Sequence, residues 1–144
     1  MENFIKQVCR FLDIDVPKIS YDTSKFLTGS MKAVYNMKDK VLYVDNGHGL
    51  NFDFYFAIAH ELRHIWQIKN EPLKYFANYK EANKVTLREY NLQLAELDAN
   101  AFGVIVMADF ANTQPQFNGL DDDIKVKIFE RAREIAEEIK RKGR

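Results

Sequence analysis

The sequence predicts an α+β fold in which a small antiparallel sheet packs against two central helices, with further helices at the N- and C-terminal ends. Three observations carry this expectation. Several stretches place apolar residues at helical spacing, the region from Ile19 to Asn46 breaks into short β-prone runs, and one central segment is apolar around most of a helix circumference. The 144 residues, 47% hydrophobic and 29% charged, fit one domain with a core large enough to need no disulfide.

Taken in order, Phe4, Ile5, Val8, Phe11 and Leu12 define an opening helix over Asn3–Leu12, stopped by Asp13 to Pro17. Strand-like runs follow at Ile19–Tyr21, Ala33–Asn36 and Val41–Val44, separated by turn-rich stretches around Gly29-Ser30 and Lys38-Asp39-Lys40. After Asp45 to Gly49 a helix from Asn51 or Phe52 to about Ile68 runs through the core. Its aromatic residues Phe52, Phe54, Tyr55, Phe56 and Trp66 are packing residues by their spacing. A polar, Tyr-rich stretch leads to a long helix from about Thr86 to Phe110, with its seam at Leu87, Tyr90, Leu94, Leu97, Ala101, Val104, Ile105 and Ala108. The last helix opens with Asp121, Asp122 and Asp123 at its positive dipole end and closes with Lys140, Arg141 and Lys142, along a seam of Ile124, Ile128, Ala132, Ile135 and Ile139.

Charge is balanced, 21 basic against 21 acidic residues, so no strong nucleic-acid signal is present. The basic end Lys140 to Arg144 complements a helix dipole. No stretch nears the ~20 apolar residues of a membrane span, and charges interrupt every apolar run near the N-terminus, which argues against a signal peptide. The single cysteine, Cys9, reads as a buried thiol in a reducing compartment, and a cytoplasmic location is the expectation.

Chemistry concentrates in His60-Glu61-Leu62-Arg63-His64 on the central helix. Two histidines four residues apart project from one helix face and can reach one metal ion. Glu61 lies about 100° round the helix, where it can take a proton from a water at the metal without filling a coordination place. Because such histidines bind only when deprotonated, affinity should fall below about pH 6.5. A catalytic zinc site takes three protein ligands, and the third is expected at Glu96, 32 residues after His64. Ala99, Asn100 and Gly103 share its helix face and are small enough to let two helices approach, and Asn100 can meet the free ring nitrogen of a liganding histidine. Asp98, about 200° from Glu96 on the same helix, is the competing ligand. His48 is a turn residue or a polar group at the cleft mouth, and Tyr79 and Tyr90 are candidate donors to a developing oxyanion. Tyr43, in Val41–Val44, lies on a strand that is either half-buried or an edge offered to an extended peptide.

HELRH preceded by Ile58-Ala59, followed by Glu96-Leu97-Asp98-Ala99-Asn100-Ala101-Phe102-Gly103 and the apolar run Val104 to Met107, resembles the ImmA/IrrE family of small, gluzincin-like zinc metallopeptidases. The resemblance spans roughly Val41 to Met107. It implies a minimal zincin-like fold, Zn2+ as cofactor with His60, His64 and Glu96 as ligands, and Glu61 as general base. The implied activity is peptide-bond hydrolysis, acting on a regulatory protein such as a repressor of a phage or mobile element. Three departures stand out: Arg63 where a glycine is usual, expected to crowd the cleft or favour an acidic substrate; Gly103 in place of an alanine; and no attached helix-turn-helix. Two other functions fit the same residues. One is a catalytically silent, metal-stabilised interaction module that binds a regulator, and the other is a hydrolase of a different amide or ester.

Overall fold

The computed structural model describes residues 1–26, 31–48 and 51–143, with His48 described by its backbone alone. The expected turn at Gly29-Ser30 and the side chain of His48 therefore lie outside the described residues. Helix α1 (Glu2–Leu12) buries Phe4, Ile5, Val8, Cys9 and Leu12, while Phe11 sits at its margin, 36% exposed. The helix stops at Asp13, whose left-handed backbone (φ 56°) returns its N–H to the Arg10 carbonyl, a conformation that aspartate tolerates better than most residues. Cys9 is buried, and burial raises its thiol to about 11, in keeping with an inert core thiol.

Strands β1 (Lys18–Ser20), β2 (Ala33–Asn36) and β3 (Val41–Val44) form one sheet in the order β1-β3-β2. The sheet is mixed rather than purely antiparallel. β2 and β3 make the expected hairpin, with Val34 opposite Tyr43, but β1 runs parallel to β3, with Ile19 opposite Leu42. A long connection from β1 to β2 lets β1 dock on the far side of β3 in the same direction. The four-residue turn between β2 and β3 is held by Asn36 Oδ1, which accepts from the N–H groups of Lys38 (2.9 Å) and Asp39 (3.0 Å), and by Lys40 at φ 59°. With partners on both sides and all four residues buried, β3 is neither an edge nor half-buried. Tyr43 is enclosed and donates its hydroxyl to Asp39 at 2.7 Å. The edge beside the central helix belongs to β2.

Helix α2 (Phe52–Asn70) starts where Asn51 Oδ1 accepts from the Phe54 N–H at 3.0 Å. Of its aromatics, Phe54 is fully buried, and Tyr55 and Trp66 are partly buried against the core, but Phe52 is 57% exposed in the first turn. Pro72 ends α2 and opens a short helix, α3 (Pro72–Phe76), where the sequence predicts only a polar stretch. The expected long helix is two. α4 (Leu87–Asn91), capped by Thr86 and Glu89, is separated by Leu92-Gln93 from α5 (Leu94–Ala111). Gln93 takes an extended backbone (ψ 143°). Its side chain bonds both the N–H (2.7 Å) and the carbonyl (2.9 Å) of Lys80, fixing the chain that leads in from α3. The apolar period continues across the break, which is why periodicity alone joins the two pieces.

Helix α6 (Asp122–Arg141) buries Ile124, Ile128, Ala132 and Ile135 as its seam predicts. One buried cluster draws on α1, β2, β3, α2, α5 and α6. α2 and α5 pack along one another in opposite directions: Gln67 meets Ala95, His64 meets Glu96, His60 meets Asn100, and Gly103 lies against Phe56, where a Cβ would run into the ring. Among the described residues no helix is long and apolar enough to cross a membrane.

Candidate metal centre

His60 and His64 occupy successive turns of α2 on the face turned to α5, with ring centroids 4.8 Å apart and planes at 83°. Glu96, in the first turn of α5, is 2% exposed and reaches between them. Its Oε1 lies 3.0 Å from His60 Nε2 and its Oε2 3.0 Å from His64 Nε2. One donor atom from each of the three residues falls within 4.8 Å of the other two, a set that could hold a metal ion. Two imidazoles and a carboxylate suit a divalent transition metal, zinc among them.

The outer ring nitrogens test this fit. His60 Nδ1 lies 2.7 Å from Asn100 Oδ1, the contact the sequence predicts, and His64 Nδ1 lies 2.8 Å from Gln67 Oε1. Both partners are oxygens that accept, so each Nδ1 carries a proton and each Nε2 is left as the nitrogen that can donate a lone pair to an ion. The donor set is therefore oriented for a metal by its surroundings as well as by its residue types.

Glu61 stands beside the cluster and outside it. Its Oε1 accepts from the Tyr35 N–H on β2 at 2.6 Å, and its Oε2 faces the two Nε2 atoms at 3.6 and 3.8 Å. The two carboxyls are pushed apart electrostatically. Burial raises Glu61 above the ordinary carboxylate range, with Glu96 adding to it and the histidines opposing. Burial also disfavours ionised Glu96, but His64 and His60 on its two oxygens outweigh that and hold it well below its ordinary value. Seen from the other end, burial opposes a charge on His64, yet Glu96 wins and raises it to about 9 in the metal-free protein. An ionised ligand and a carboxyl poised to exchange a proton thus sit side by side.

Asp98 is not part of the donor set. It turns to the opposite face of α5, 1% exposed, and accepts from Arg63 Nε (2.7 Å) and Nη2 (3.2 Å), Gln67 Nε2 (2.8 Å) and Arg131 Nε (2.8 Å). The expectation that Arg63 crowds the cleft or selects an acidic substrate is overturned by the same contacts. Arg63 is 4% exposed, stacks on Trp66 at 3.7 Å and is committed to Asp98 rather than to the histidine rings. Tyr79 and Tyr90 both come to the centre. The Tyr79 hydroxyl donates to Glu96 Oε2 at 2.7 Å and stands 3.1 Å from that of Tyr90, and burial followed by Glu96 raises both phenols strongly. Phe76 flanks His64 at 5.9 Å between centroids.

Gln67 is the participant that sequence reasoning misses. It lies three residues after His64, and HELRH-to-Gln67 spacing would put it on the same side of α2. Its role becomes visible only once Ala95 and Asp98 are placed against it. No family model, curated protein or solved structure matches the chain.

Proposed function

We propose that the protein is a zinc-dependent endopeptidase similar to the ImmA/IrrE metallopeptidases. In this reading His60, His64 and Glu96 hold the ion, and Glu61 is the general base. The observation that carries it is the placement of Glu61: one oxygen is pinned by a backbone N–H while the other faces the donor set without joining it. A bound Zn2+ would polarise a carbonyl and lower the pKa of a water it binds towards about 7. Glu61, pinned through Tyr35, takes the proton released as water attacks the peptide carbon and hands it to the leaving amine. Its raised pKa makes it a stronger base for the first step than a carboxylate of ordinary acidity. Tyr79 donates its hydroxyl to Glu96 Oε2 and steadies that carboxylate.

An extended polypeptide is the substrate this geometry favours. β2 is an edge strand and its Tyr35 holds Glu61, so a chain adding to that edge would run past the donor set. A transcriptional regulator such as a phage repressor is the partner that the ImmA/IrrE resemblance suggests, and the cytoplasm the matching compartment.

The test is zinc-loaded protein incubated with a diverse peptide mixture, with new termini read by mass spectrometry. Cleavage by the wild type, lost in Glu61→Gln while that variant still binds about one zinc, is the expected result. Hydrolysis retained by Glu61→Gln contradicts the assigned base. Zinc binding with no hydrolysis by the wild type points instead to the metal-stabilised interaction module.

A further inference from the structure

The contacts behind His64 form a continuous chain to the last helix. Gln67 is fully buried, and its amide has no freedom to turn: Nε2 donates to the Ala95 carbonyl at 3.0 Å and to Asp98 Oδ2 at 2.8 Å, which leaves Oε1 facing His64 Nδ1 at 2.8 Å. Asp98 is held in turn by Arg63 from α2 and by Arg131 from α6, and Arg131 also bonds Glu134 at 3.0 Å. Every member is satisfied, and among the described residues no buried side-chain nitrogen or oxygen lacks a partner. A fully satisfied buried network has one arrangement of donors and acceptors, and here that arrangement ends on a ring nitrogen of a candidate ligand.

We propose that Gln67, Asp98 and Arg131 form a positioning chain that sets the tautomer and ring angle of His64, so that the seating of α6 on α5 tunes metal binding. The inference rests on the metal-site reading above. Two features distinguish it from ordinary core packing. The chain does not include His60, whose own ring is held by Asn100, so the two histidines are oriented by separate side chains and only that of His64 is linked to α6. The group that meets His64 is also a neutral amide, with the buried charges of Asp98, Arg63 and Arg131 kept one residue further back. The amide fixes the ring without placing a further carboxylate against it beside Glu96 and Glu61.

The experiment uses zinc and cobalt alone, with no substrate. Zinc affinity is measured by competition with a chromophoric chelator, and the visible bands of the Co2+ form report ligand geometry. Gln67→Met keeps the side-chain length but removes the oxygen that meets His64. It should weaken zinc binding about ten- to a hundredfold and shift the cobalt bands. Arg131→Met, distant from the ion and partly exposed, should weaken it in the same direction by a smaller factor, and it carries the test if Gln67→Met does not fold. Unchanged affinity and an unchanged cobalt spectrum, accompanied only by a lower melting temperature, would overturn the positioning role and leave these residues as core supports. A wild type that binds neither metal would overturn the metal-site reading itself, a result distinct from the other two.

Discussion

At the scale of single residues the decisive competition is between a proton and a metal ion for His64 Nε2. In the metal-free protein Glu96, 3.0 Å away, outweighs burial and keeps that nitrogen protonated up to about pH 9. An ion must displace the proton, so affinity rises with pH across the neutral range and levels off near 9, with protons released on binding. The sequence alone places this loss below about pH 6.5, the ordinary histidine value, because the carboxylate that shifts it comes from another helix. Zinc titration calorimetry in buffers of different ionisation enthalpy should show proton release at pH 7 and an apparent affinity increasing by up to about tenfold per pH unit. A pH-independent affinity between 6.5 and 9 would remove Glu96 from its place against His64. His60, Glu61 and His64 are legible in the sequence because the helical repeat alone puts them together. Asn100 is legible because it lies one turn beyond Glu96. Gln67 and Arg63 are not, since their partners Ala95 and Asp98 are brought to them by tertiary packing alone.

At the scale of elements the site depends on how closely α2 and α5 pack. Small residues on α5 are readable from sequence as a close-packing face, and at Gly103 there is no room for a Cβ beside Phe56. Gly103→Ala should therefore cost about 1–3 kcal/mol of stability by overpacking, seen as a lower denaturant midpoint. The added helix propensity of alanine offsets part of this, up to about 1 kcal/mol. An unchanged or raised midpoint would mean that Phe56 turns aside freely and that the packing at Gly103 is looser than described. Other features at this scale escape the sequence for identifiable reasons. The strands are visible as segments, but the parallel docking of β1 depends on the path of a connection rather than on residue pattern. The break before α5 is hidden because Gln93 makes its decisive bonds to Lys80, 13 residues earlier.

At the scale of the molecule, chain elements far apart in sequence supply one centre: β2 holds Glu61, α2 brings the histidines, α5 brings Glu96 and Asn100, and the segment after α3 brings Tyr79. α6, undistinguished in sequence beyond its amphipathic pattern, reaches the same centre through Arg131 and Asp98. The fold class and the candidate donor set are legible from periodicity and spacing. The place of β2 at the sheet edge is not, because strand order is a property of the assembled sheet. All of the proposed chemistry depends on these elements closing on an ion. The most direct measurement is therefore zinc content after reconstitution, by native mass spectrometry, of the wild type beside Glu96→Ala. About one zinc per wild-type chain, lost or strongly weakened in the variant, is the predicted result. A wild type that takes up no metal, or a variant that holds it as tightly, would contradict the three-residue centre on which the account stands.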